Sequence, residues 1–228
     1  EIRLSLVGSE MCIRDRLLIR HGETEWNVGK RLQGHTDVAL NSEGVRQAAA
    51  LGRFLLDEPL DAIYSSDLLR AYDTAQAVAI PRGMSVLTER DLRERCFGAF
   101  EGLSHPEIKE KYPEDYAAWQ RRDIDARYPM GERRAETLRE FAARSVDCIA
   151  RLASTPGHRK IAVFTHGGVL DSVYRRVNSM GYEHPRNFDV LNASINRVSW
   201  DGQNFRILKW ADVAHLAHAS LDESDNPK

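Results

Sequence analysis

Two histidines stand where a short apolar run gives way to glycine. Arg20-His21-Gly22 follows Leu17-Leu18-Ile19, and Thr165-His166-Gly167-Gly168 follows Ile161-Ala162-Val163-Phe164. Each run reads as a buried strand feeding a loop. In a parallel α/β sheet the loops beyond the strand C-termini share one edge, where ligands bind. Such a sheet would bring His21 and His166 to a common site. A lone strand-end histidine is more often a satisfied core or surface residue, but a pair opens two chemistries. One is a metal centre, which for zinc needs three or four His, Cys or carboxylate ligands. The other is an anion site. Arg20 beside His21 repels a cation and offers bidentate hydrogen bonds to a phosphate, so the cluster favours an anion.

The intervening chain supplies the elements such a site requires. Asn41-Ser42-Glu43 offers an N-cap, followed by Val45, Ala48, Ala49, Leu51 and Leu55 at helical spacing. Ala62-Ile63-Tyr64 reads as a second buried strand, and Ser66 or Asp67 as the cap of a helix running to about Val78. Pro81-Arg82-Gly83 breaks that helix before a third strand from Ser85 to Thr88. Pro106 and Pro113 divide residues 104–122 into short helices. Ala135 to Leu152 carries a long apolar face, ended by Pro156-Gly157, and Gly168 to Val177 is the helix after the last buried strand. Asp201-Gly202 joins Ile195–Trp200 and Phe205–Trp210 as a hairpin. Alternating strands and helices indicate an α/β fold: a three-layer α/β/α sandwich with a mostly parallel central sheet and a helical insertion, residues 97–134, over the active site.

Composition narrows the function. The chain has 228 residues, 42% hydrophobic and 29% charged, which is ordinary for a globular protein. Lys plus Arg number 32 against 34 Asp plus Glu, so the balance supports neither nucleic-acid binding nor a polybasic membrane anchor. No run is long enough to span a bilayer. Cys12, Cys96 and Cys148 are too scattered for a disulfide framework or a four-ligand zinc site, and a reducing, cytoplasmic setting is expected. Residues 1–16 show no signal-peptide pattern; Leu4 to Arg16 resembles translated adapter read-through, and the segment is expected to be non-native or disordered. Residues 17–215 are expected to form the domain and 216–228 a frayed tail.

Longer motifs carry a family resemblance. Arg20-His21-Gly22-Glu23-Thr24-Glu25-Trp26-Asn27, then Leu32-Gln33-Gly34 and Asp37, resembles the opening of the histidine phosphatase superfamily, also called phosphoglycerate mutase-like. Ser65-Ser66-Asp67-Leu68-Leu69-Arg70-Ala71 with Thr74-Ala75 resembles its second block, Leu92-Arg93-Glu94 with Phe97-Gly98 and Glu101-Gly102 its third, and Thr165-His166-Gly167-Gly168 its fourth. The resemblance implies that His21 is the nucleophile that becomes phosphohistidine, its other nitrogen held by a backbone carbonyl. It further implies that Arg20, Arg70 and His166 surround the phosphate, that Asn27 donates to it, and that Gly167 allows close backbone approach. Glu94 is implied as the general acid, which requires a carboxyl kept partly protonated by burial. Glu23 and Glu101 are weaker candidates for proton transfer. Trp26 and Phe100 are expected to pack, Cys96 to line the pocket without a base partner, and Cys148 to lie in the core.

The tyrosine- and glycine-rich insertion of the cofactor-dependent mutases does not follow Phe97-Gly98-Ala99-Phe100-Glu101-Gly102, so the phosphatase branch fits best. The expected activity is metal-independent hydrolysis of a small phosphorylated metabolite, with no cofactor and no bound metal, and with a homodimer left open. Mutase-type transfer and an inactive binding module are the alternatives. Much of the superfamily has serine after the Gly131-Glu132 pair, where this chain has Arg133-Arg134. With Arg121 and Arg122 they offer selection of an acidic substrate, against the plainer reading of a solvated charged face.

Overall fold

The structure is a computed structural model that describes residues 14–216 and 220–222. Six strands form one sheet in the order β3-β2-β4-β1-β5-β6. They are β1 (Arg14–Arg20), β2 (Ala62–Ser65), β3 (Val86–Thr88), β4 (Lys160–Thr165), β5 (Ile195–Trp200) and β6 (Phe205–Asp212). β1 pairs in parallel with β4, β4 with β2, and β2 with β3, while β5 runs antiparallel to both β1 and β6.

Alternation along the central strands builds two cores. Leu17, Ile19, Ala162 and Phe164 face Leu51, Leu55, Ala75 and Val78, from α2 (Ser42–Phe54), its C-terminal end and α3 (Leu69–Ala79). Leu18, Ile161 and Val163 face Phe141, Ile149, Val169 and Val173, from α6 (Leu138–Ala153) and α7 (Gly167–Val177). Helices therefore cover both faces, and the sandwich read from the sequence stands. The segment expected as an insertion holds α4 (His105–Lys111) and α5 (Pro113–Gln120) and packs its own aromatic cluster of Phe97, Phe100, Trp119 and Tyr128. The short α1 (Glu25–Val28) follows the first histidine loop, with a Thr24–Asn27 capping box at its start.

Three details depart from the sequence reading. β1 begins at Arg14, three residues before the expected Leu17. Backbone pairing to β4 and β5 continues through Asp15 and Arg16, and Arg16 is fully buried, donating to the carbonyls of Ala153, Arg159 and His158. Residues 1–13, including Cys12, lie outside the described residues. Of the tail expected to fray, 216–228, residues 217–219 and 223–228 lie outside the described residues, and Ser220–Asp222 is hydrogen-bonded to the body of the domain. Finally, neither Ser66 nor Asp67 caps α3. Its N-terminal Leu69 amide donates instead to Asp37 Oδ1 at 2.8 Å, because both expected capping side chains are engaged at the sheet edge.

Candidate active site

The C-terminal ends of β1, β4 and β2 lie side by side, and each releases a polar residue into the same space. His21 follows β1, His166 follows β4, and Ser66 follows β2. The imidazole centroids are 5.2 Å apart with the rings tilted by 58°. The His21 amide donates to Thr165 O at 3.0 Å, which carries the β1–β4 ladder into the loop and fixes one histidine relative to the other.

Each ring has one nitrogen committed. His21 Nδ1 lies 2.7 Å from Gly22 O, so it is the protonated nitrogen, because a carbonyl only accepts. Nε2 is left with its lone pair. His166 Nε2 lies 2.8 Å from Ser66 Oγ, and its Nδ1 is buried without a hydrogen-bond partner among the described residues. The loop around His21 is braced on three sides. Gly22 N–H donates to Thr74 Oγ1 at 3.0 Å, the His21 carbonyl accepts from Ala193 N–H at 3.1 Å, and Asn192 Nδ2 donates to the same carbonyl at 3.0 Å. Gly44 lets α2 sit directly on this loop, since a Cβ there would overlap the Glu23 carbonyl oxygen.

The cations are also held by main-chain oxygens. Arg20 is fully buried and donates from Nη1 to Val190 O at 2.5 Å and Leu221 O at 3.3 Å. Arg70, equally buried, reaches Thr36 O at 3.0 Å and Gly34 O at 2.8 Å. Neutral carbonyls orient a guanidinium without cancelling its charge. Asn27 points its Oδ1 at the Thr24 amide and hydroxyl, leaving Nδ2 buried with no partner among the described residues. That atom is an unused donor of the kind an anion oxygen would satisfy. Gly167 is buried and opens α7, with His166 as its N-cap.

Glu94 is 6% exposed. Its Oε1 accepts from the Arg95 amide at 2.8 Å and its Oε2 from the Gly168 amide at 2.9 Å. A Cβ on Gly168 would overlap Oε1, so glycine at the start of α7 is what admits this carboxyl beside the histidine loop. A cavity of about 150 Å³ lies between α7 and the aromatic cluster, with Phe97, Trp119, Tyr128, Phe141 and Gly168 in its wall.

The other sequence candidates have structural duties. Glu101 accepts from the amides of His35 and Phe97 and from Thr36 Oγ1, and Glu23 accepts from Asn41 Nδ2. Cys96 and Cys148 are buried, and burial pushes both thiols up to about 11, out of the range of a nucleophile at neutral pH. Phe100 stacks on Tyr128 at 4.5 Å, and Trp26 lies against Gly102. Arg121, Arg133 and Arg134 are exposed, while Arg122 Nε donates to Tyr182 O at 2.5 Å. Sequence reasoning missed Asn192 and the role of Ser66. Ser66 sits at a strand end and carried the right signal; Asn192 lies in a stretch without periodicity. Among the described residues no group of three or more His, Cys, Asp or Glu is arranged to hold a metal ion.

Burial, with Arg70 and Arg20 nearby, holds His21 well below the usual imidazole value of 6.5. His166 is lowered in the same way, by burial first and then by Arg70. Both rings are therefore neutral at physiological pH. The sign of the linkage follows. Below 6.5 the unfolded chain takes up protons that the folded chain refuses, so stability rises with pH up to that value and levels off above it. Melting temperatures taken between about pH 5 and 8 should fall on the acid side and be flat on the other. Catalysis that depends on neutral His21 should persist at about pH 6, where an ordinary imidazole is mostly protonated.

Residues 17–213 match the histidine phosphatase superfamily (branch 1). Two Arabidopsis thaliana proteins are similar over most of their length. "Metal-independent phosphoserine phosphatase" is 37% identical over 216 residues, covering 92% of this chain and 87% of that protein. "Phosphoglycerate mutase-like protein 4" is 36% identical over 211 residues, covering 91% and 89%. Among solved structures, a mycobacterial glucosyl-3-phosphoglycerate phosphatase superposes with a TM-score of 0.73 at 30% identity, covering 87% of this chain and 99% of that one. No helix among the described residues is long and apolar enough to cross a membrane.

Proposed function

This chain belongs to the histidine phosphatase superfamily, whose members act through phosphohistidine, and on that premise we propose that it hydrolyses a small phosphomonoester with His21 as nucleophile and Glu94 as proton donor. The observation that carries the reading is the committed Nδ1 of His21 in a site where burial and two arginines keep the ring neutral. Nε2 attacks phosphorus as the bond to the leaving oxygen breaks, and Glu94 delivers the proton that oxygen needs. Arg20, Arg70, His166 and Asn27 gather the equatorial oxygens, where charge stabilisation contributes most to phosphoryl transfer. In the second step water attacks phosphorus, Glu94 takes its proton, the nitrogen–phosphorus bond breaks, and neutral His21 is restored. An anion beside His166 favours its protonated form, so the second histidine gains charge when phosphate is present.

Metal independence belongs to the same proposal. The site supplies fixed cations where a metal-dependent phosphatase supplies carboxylate ligands. Two of the similar proteins are named for phosphomonoesters of a three-carbon carboxylic acid, phosphoserine and the glucosylated 3-phosphoglycerate. A carboxylated phosphomonoester of that size is the substrate class we favour here. A colorimetric assay with p-nitrophenyl phosphate tests the activity. Turnover should survive excess EDTA, and vanadate should inhibit by adopting the five-coordinate geometry of the transition state. Loss of activity on chelation would overturn the metal-free mechanism. The mutase-like relative favours a second reading, which the product distinguishes. With 3-phosphoglycerate and a trace of 2,3-bisphosphoglycerate, inorganic phosphate should appear faster than 2-phosphoglycerate.

A further inference from the structure

The three residues Ser220–Asp222 make a dense set of hydrogen bonds with the site wall. Asp222 Oδ1 accepts from the Val190 amide at 2.9 Å and Oδ2 from Arg186 Nη2 at 2.8 Å. The Leu221 carbonyl accepts from the Asn192 amide at 2.8 Å and from Arg20 Nη1 at 3.3 Å. Ser220 Oγ donates to the Asn192 carbonyl at 2.6 Å. Residues 190–192 are thus gripped from outside by the tail. From inside they grip the site: Val190 O receives Arg20, and Asn192 Nδ2 reaches the carbonyls of His21 and Gly22 and Oδ1 of Asn27.

We propose that Ser220–Asp222 is a positioning clamp for the phosphoryl site, acting through Val190 and Asn192 to fix Arg20, His21 and Asn27. The assignment rests on the phosphatase reading above for its catalytic consequence, but not for its effect on anion binding. Arg20 has a long side chain and many rotamers; two carbonyl acceptors, one of them from the tail, select the one that faces the site. Asn192 has the same need, because its amide must bridge three acceptors at once. Releasing the tail frees one acceptor of Arg20 and both main-chain partners of Asn192. The fold itself loses little, since Ser220–Asp222 lies outside the six strands.

The test compares the parent chain with a variant ending at residue 219, with Asp222→Ala and with Asp222→Asn. Vanadate affinity by calorimetry reads the anion site whether or not turnover occurs, and kcat and KM are taken with p-nitrophenyl phosphate. The truncated chain and Asp222→Ala should bind vanadate at least about tenfold more weakly, and kcat should fall about 10- to 100-fold, the scale of a misplacement near 1 Å. Asp222→Asn keeps an acceptor for the Val190 amide and should recover most of the loss. The melting temperature should change far less than the affinity. If truncation prevents folding, the two point variants carry the test. Parent-like vanadate affinity in both the truncated chain and Asp222→Ala would overturn the clamp, as would a loss that tracks melting temperature alone. A parent chain that binds vanadate but hydrolyses nothing would overturn the phosphatase reading and leave the affinity comparison to decide the clamp.

Discussion

Replacing His21 with alanine should reduce turnover by roughly 10⁴-fold or more, the scale seen when a covalent nucleophile is removed. The reason is specific to the ring. The site keeps Arg20, Arg70 and His166 after the change, so phosphate and vanadate should still bind. What is lost is Nε2, the proposed acceptor of phosphorus, whose ring proton is held on Nδ1 by Gly22 O. His21 is 3% exposed, so the variant also opens a small buried void; folding should be confirmed by a cooperative melt. Rapid acid-labile phosphate trapping of the parent should show phosphohistidine, and the variant should show none. Near-normal rates in His21→Ala would end the proposal, whatever the other residues do.

Glu94→Gln should slow hydrolysis of alkyl phosphates by about 10²- to 10⁴-fold, the usual contribution of a positioned acid. Both carboxylate oxygens face backbone amides, from Arg95 and Gly168. A glutamine must turn its NH₂ toward one of those donors, so it loses a hydrogen bond as well as the proton. The leaving group separates the two effects. p-Nitrophenolate departs without a proton, so its ester should suffer a much smaller loss than an alkyl phosphate. An equal loss for both esters would mean that Glu94 organises the site and is not the acid.

Most of the sheet was legible because its central strands are short apolar runs buried on both faces, and because each histidine motif sits where such a run ends. The site was legible where residues adjacent in sequence act together, as in Arg20-His21-Gly22. It was not legible where partners come from afar. Asn192 braces the His21 loop across 171 positions, and nothing in its neighbours marks it. Ser66 and Asp67 have the composition of a helix cap, but tertiary structure overrides that local preference. Ser66 turns to His166, Asp67 makes a two-point pair with Arg93, and Asp37 caps α3 in their place. Local rules fail where a site has another use for the residue. The start of β1 was missed for a different reason. Arg14-Asp15-Arg16 has no apolar pattern, and its strand form depends on backbone pairing to Lys160 and to Ser199 and Trp200.

The aromatic cluster around Phe97, Trp119 and Tyr128 is a separate core, sharing none of its buried residues with the two faces of the sheet. The domain therefore divides into two compartments. On the phosphatase reading, a substitution at the sheet edge strikes the transfer step. One among Phe97, Trp119 and Tyr128 reshapes the cavity wall beside Gly168 while the phosphoryl site keeps its frame. On the same reading, the leaving-group wall can change by small steps while the transfer step is retained. Duplicated copies could then divide substrates between them without reinventing the transfer step.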